Sequence, residues 1–175
     1  MSMWHFFTQK GAGLLTVERI IIISAWVISL IALFVLKRLS WREKFLLFIA
    51  VQFFTWSLGL IYVEFDLIDY PVRDFSIATS VNFTFHYVLF PAIGVYFAAF
   101  YPARRSLIRR LGYNLAFAAA FVAGFLLCEK YTELMSFKPL FIFILIMSVW
   151  TSFNSVNHYY DWFFRKQRLQ GDAFR

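Results

Sequence analysis

The chain has 175 residues, enough for one domain, and 61% of them are hydrophobic, 22% aromatic and only 15% charged. Soluble domains carry roughly 25% charged residues, and a water-soluble core of this size could not bury so much apolar surface. The net charge of +7 falls in short clusters between apolar runs, which is a topology signal and not the basic face that nucleic acid requires; no nucleic-acid partner is expected.

Five apolar stretches are long enough, or nearly so, to cross ~30 Å of hydrocarbon at 1.5 Å per residue. The first covers about 14–36, reaching back to Leu14 if Glu18 and Arg19 lie at the interface. It lacks a small-residue cleavage site and is expected to remain as an anchor. The second covers 45–63 and carries Gln52, Thr55 and Ser57. The third covers 75–101, with Asn82 and His86 on one face, then Pro91, then Gly94 and Ala98. The fourth covers 111–128, with Asn114 and a small-residue face of Gly112, Ala116, Ala120 and Gly124. The fifth covers 140–160; Thr151, Ser155 and His158 share a face, flanked by Asn154 and Asn157, and a basic tail follows at 161–175. No period-two alternation runs through these segments. The expected fold is an all-α integral membrane protein of about five transmembrane helices, a single membrane domain over 1–175. An odd number of spans excludes two equal inverted halves within one chain.

Lys37, Arg38, Arg42 and Lys44 precede the second span, Arg104, Arg105, Arg109 and Arg110 precede the fourth, and Arg165, Lys166, Arg168 and Arg175 lie in the tail. In a five-span topology these fall on one side. Lys10, Arg19, Arg73, Lys130 and Lys138 fall on the other, with Glu18, Glu64, Asp66, Asp69, Asp74, Glu129 and Glu133. The positive-inside rule then puts the N-terminus outside and the C-terminus inside. Lipid gives little hydrophobic drive for helix association, so small residues are expected at close contacts. Gly94, Ala98, Gly112, Ala116, Ala120 and Gly124 are accordingly read as a tight seam between the third and fourth spans, with a homodimer face as the alternative.

Polar side chains at membrane depth need a partner or a water-filled space. The candidates are Gln52, Asn82, His86, Asn114, Asn154, Ser155 and His158, with Glu64 and Glu129 as carboxylates at the outer ends of spans. His86 is read as a neutral hydrogen-bonding strut; the alternative is a proton-linked group paired with Glu64 or Glu129. The polar face of the fifth span is read as inter-helix hydrogen bonding, with a hydrated vestibule as the alternative. His86 and His158 differ in depth by roughly 15 Å on a 1.5 Å rise, too far to share a haem or a metal ion. Cys128 is the one cysteine, so no internal disulfide forms. No catalytic spacing is found, and neither cofactor nor metal is expected.

The segments HYVLFPAIGVYFAAFYP at 86–102 and LLCEKYTELMSF at 126–137 resemble a family of small uncharacterised polytopic membrane proteins from spore-forming Gram-positive bacteria. Phe90, Pro91, Tyr101, Pro102 and Glu129 are the matching positions. The resemblance implies a similar fold in a bacterial cytoplasmic membrane and carries no activity, substrate or catalytic residue with it. From the residues alone, the expected role is a non-enzymatic structural, accessory or interaction subunit that contacts membrane lipids and a membrane-protein partner or a second copy of itself. The alternative is a conduit or carrier for a small solute, ion or lipid. It requires Gln52, Asn82, His86 and Asn154 to face one common path. An enzyme acting on lipid would need a polar cleft at headgroup level.

Overall fold

The computed structural model describes residues 17–75, 77–102 and 105–172, and side chains as far as residue 164. Lys10, Leu14, Arg104 and the side chains of Arg165, Lys166, Arg168 and Arg175 lie outside what is described. The helices are α1 (Val17–Val35), α2 (Trp41–Glu64), α3 (Phe90–Phe100, entered through a π turn at Phe85–Leu89), α4 (Leu107–Tyr131) and α5 (Pro139–Asp172). α1, α2, α4 and α5 are long and apolar enough to cross a membrane, and the helix over Phe85–Phe100 is shorter. Only 11% of the apolar window of α1 and 22% of that of α2 is buried within the protein. Large side chains such as Ile28, Phe34, Phe53 and Phe143 point outward. This is the surface of an all-α, multi-pass membrane protein.

Local chemistry explains the helix ends. α2 begins at Trp41 because Ser40 and Glu43 make a reciprocal capping box. Arg42 and Lys44, expected in a loop, therefore lie in its first turn. Lys44 turns inward, and its Nζ donates to the Leu33 carbonyl at 2.7 Å, which satisfies an orphan acceptor near the end of α1. α2 ends in a Schellman motif: Leu67 N–H donates to Tyr62 O and Asp66 N–H to Val63 O, with Asp66 at φ 51°. α5 starts on Pro139 at the position where a missing N–H costs nothing, and it continues as helix through the expected tail to Asp172.

The third span corrects the expected range of 75–101. Phe75 has φ 56°, and helix begins only at 83. Asn82 is its N-cap, with Oδ1 accepting from Phe85 N–H at 3.2 Å.

The acidic connections meet at one end of the bundle. There β1 (Ile68–Asp69) pairs antiparallel with β2 (Ser136–Phe137), extended by Val72 N–H to Glu133 O and Lys138 N–H to Leu67 O. The basic loops meet at the other end, where Tyr160 O–H donates to Glu43 Oε1 at 2.9 Å and the Arg38 guanidinium lies 4.3 Å from the Phe100 ring. The charge asymmetry of the sequence is thus an asymmetry between the two ends of the fold.

α3 is the hub, packing on α1, α2 and α5. Gly94 meets α2: a Cβ there would sit 2.6 Å from Val51 Cγ2. Ala98 is buried nearby. The expected seam with α4 through Gly112, Ala116, Ala120 and Gly124 is not formed. All four of these residues are exposed, and a Cβ at Gly112 or Gly124 would meet nothing within 4 Å. The stripe one residue over, Tyr113, Phe117, Phe121 and Phe125, turns inward instead. Phe90 stacks on Phe125 at 5.6 Å and touches Phe121 at 5.1 Å, and Phe97 meets Phe117 and Phe153 at 5.0 Å. Large rings make more dispersion contacts than glycine and alanine can. Facing them inward holds the backbones of α3 and α4 apart and leaves the small residues on the outside.

Candidate functional site

The most elaborate polar centre is built around His86, in the π turn. Pro91 brings no N–H and its ring crowds the carbonyl four residues back. The wider π register relieves this: Phe90 N–H bonds to Phe85 O, and the donor that Pro91 lacks would have served His86 O. Thr55 on α2 replaces it, its Oγ1 donating to His86 O at 3.1 Å while also lying 3.2 Å from Gln52 O. The side chain of His86 returns the contact, with Nδ1 2.8 Å from Thr55 O.

A carbonyl oxygen can only accept, so Nδ1 carries the hydrogen. Nε2 lies 3.0 Å from the hydroxyl of Tyr70. Tyr70 sits in the connection after α2, fully buried, and burial pushes its phenol well above the ordinary range. It therefore stays protonated and can donate to Nε2 of the neutral ring, pairing both nitrogens without a charge. Gly59, one turn after Thr55, makes room: a Cβ there would lie 2.5 Å from His86 Cε1. Arg73 braces the Tyr70 loop by donating to Tyr70 O at 2.7 Å and Thr79 O at 3.0 Å. A cavity of about 50 Å³ borders the ring, lined also by Tyr62, Ser148 and Ser152, with room for about one or two waters. The Ser148 hydroxyl is engaged by Tyr62 O–H and by Ile144 O, so it is not held as a nucleophile by His86.

The other sequence candidates lie elsewhere. Asn82 caps the third span and donates from Nδ2 to Val72 O at 3.4 Å. Asn114 and Asn154 pair across α4 and α5 at 3.3 and 3.4 Å. Gln52 is half-buried on α2. Glu64 is exposed, and Glu129 Oε1 accepts from Phe137 N–H at 3.2 Å beside the β ladder. The hydrogen bonds of the His86 ring go to Thr55 and Tyr70, not to these carboxylates. Of the candidates expected on the polar face of α5, Asn154 bonds to another helix, whereas Thr151, Ser155 and His158 are exposed and line an open groove with Arg110.

Sequence reasoning missed Tyr70 and Gly59, whose partner comes from another element. It also missed a relay in which Trp26 Nε1 donates to Thr84 Oγ1 at 2.9 Å and Thr84 donates to Asp74 Oδ2 at 2.5 Å. The capping preference of asparagine could have found the role of Asn82. Among the described residues, no three His, Cys, Asp or Glu side chains gather as a metal site would need. Comparison with protein-family models, curated proteins and solved structures finds no match to this chain.

Proposed function

We infer that the chain serves as a non-enzymatic structural, accessory or interaction subunit of a bacterial cytoplasmic membrane, with its N-terminus outside and its C-terminus inside. One observation carries this reading. His86 and the Asn114–Asn154 pair are hydrogen-bonded in separate seams: Thr55–His86–Tyr70 between α2, the π turn and the Tyr70 loop, and Asn114–Asn154 between α4 and α5. Each seam answers its own desolvation cost locally. A conduit would instead string such groups along one hydrated path. The outward face of Gly112, Ala116, Ala120 and Gly124 suits close approach of another helix, from a partner protein or a second copy.

Affinity purification of the full chain in mild detergent tests this. A stoichiometric membrane-protein partner, or a second copy, is expected to co-purify. Purified protein that by itself moves ions or small solutes across vesicles would overturn the subunit reading in favour of the conduit.

A further inference from the structure

The outward face of α5 changes character partway along the span. Leu140, Phe143 and Met147 are exposed and apolar. The next positions on the same stripe, Thr151, Ser155 and His158, are exposed and polar. Tyr160 marks the level of the α2 N-terminus through its bond to Glu43. Thr151 lies nine residues before it, roughly 13 Å deeper on a 1.5 Å rise. A polar stripe facing acyl chains at that depth is costly unless something polar covers it.

The stripe forms one wall of an open groove of about 840 Å³ that reaches to Arg110 on α4 and Tyr101 at the end of α3. Asn157, only 6% exposed, also lines this groove and adds a further polar residue to its wall.

We propose that the α4–α5 groove binds the headgroup of a zwitterionic phospholipid, drawn below the ordinary headgroup level, with its acyl chains against Met147 and Phe143. Among the described residues that line it, the charged side chains are Arg110 and Asp161. Arg110 spends its Nε on Tyr101 Oη at 3.3 Å, and its terminal nitrogens suit a phosphate. Asp161, with the rings of Tyr159 and Trp162 beside it, suits the ammonium of the same headgroup. The amide of Asn157 and the hydroxyl of Ser155 supply neutral donors for the phosphate and ester oxygens. Apolar side chains directly above the polar wall distinguish a lipid from a free phosphate, which would gain nothing from them.

Native mass spectrometry of the full chain tests the assignment. The protein is released from mild detergent after titration with phosphatidylethanolamine or phosphatidylglycerol of matched acyl chains. One phosphatidylethanolamine should be retained in preference to phosphatidylglycerol. Arg110→Gln and Ser155→Leu should each weaken it about tenfold, the scale of one lost charge-assisted contact. Ile28→Ala, on the outward face of α1, should leave it unchanged. Arg110 and Ser155 are both exposed, so neither change disturbs the core, and thermal unfolding of each variant checks this. Equal binding of phosphatidylglycerol, undiminished binding by both groove variants, or displacement of the lipid by inorganic phosphate would overturn the proposal.

Discussion

Gly59 and Gly124 both interrupt helices where alanine would have the higher intrinsic propensity. Only the first has a tertiary reason to be glycine. The imidazole it faces is pinned at both nitrogens, so Gly59→Ala cannot be absorbed by a simple rotation. Overpacking of this kind costs about 1–3 kcal/mol, and the melting temperature in detergent should fall. Gly124→Ala meets open space and should be neutral or raise stability by up to about 1 kcal/mol. A similar loss for both variants would contradict the close approach of His86 to α2. The ring itself makes a second prediction. Nitrogen-labelled protein should show one protonated and one bare imidazole nitrogen at pH 7, with Nδ1 bearing the hydrogen. Tyr70→Phe, which removes the partner of Nε2, should destabilise by about 1–3 kcal/mol. Two protonated nitrogens at pH 7 would replace the neutral strut with a charged group. That His86 needs a partner was readable from its place in an apolar run. That the partner is Tyr70 was not, because a phenol sixteen residues away in an acidic loop carries no local sign of turning inward.

At the scale of elements, two period-four stripes run side by side on α4, and composition alone favours the wrong one. Glycine and alanine at 112, 116, 120 and 124 look like a packing seam, whereas the rings at 113, 117, 121 and 125 make the intramolecular contacts. Ala120→Leu should therefore leave thermal stability of the isolated chain unchanged, where a seam residue would lose about 1–3 kcal/mol. Calorimetry or a scanning thermal assay in detergent distinguishes the two. Asn114 and Asn154 bind α4 to α5 at a depth where few alternatives exist. A double-mutant cycle with leucine at each position should give a coupling of about 0.6 kcal/mol and no more than ~1.7; additive single effects would mean that the two amides do not bond. The π turn belongs to this scale too. Pro91 announces a disturbed helix, but only the approach of Thr55 shows how the freed carbonyl of His86 is satisfied.

For the whole molecule, the two ends of the bundle differ in charge as well as in architecture: a small β ladder with acidic connections at one, the capping box of α2 and basic loops at the other. Reporters fused within 37–40, within 102–106 and at the C-terminus should all read the same compartment, and the positive-inside rule makes it the cytoplasm. Activity of the C-terminal fusion only outside the cell would reverse the orientation. The sequence by itself determined the solvent, the helical class and the segregation of charge. Each of these follows from sums over many residues, of apolar length and of lysine and arginine between spans, and such sums tolerate local error. Only the tertiary structure decided which face of each helix turns inward, where the third span begins, and that the outward wall of α5 is polar. Those outcomes depend on single contacts between distant elements, such as Gly94 against Val51 or a phenol reaching an imidazole. Packing in lipid selects among faces that look equally apolar along the chain.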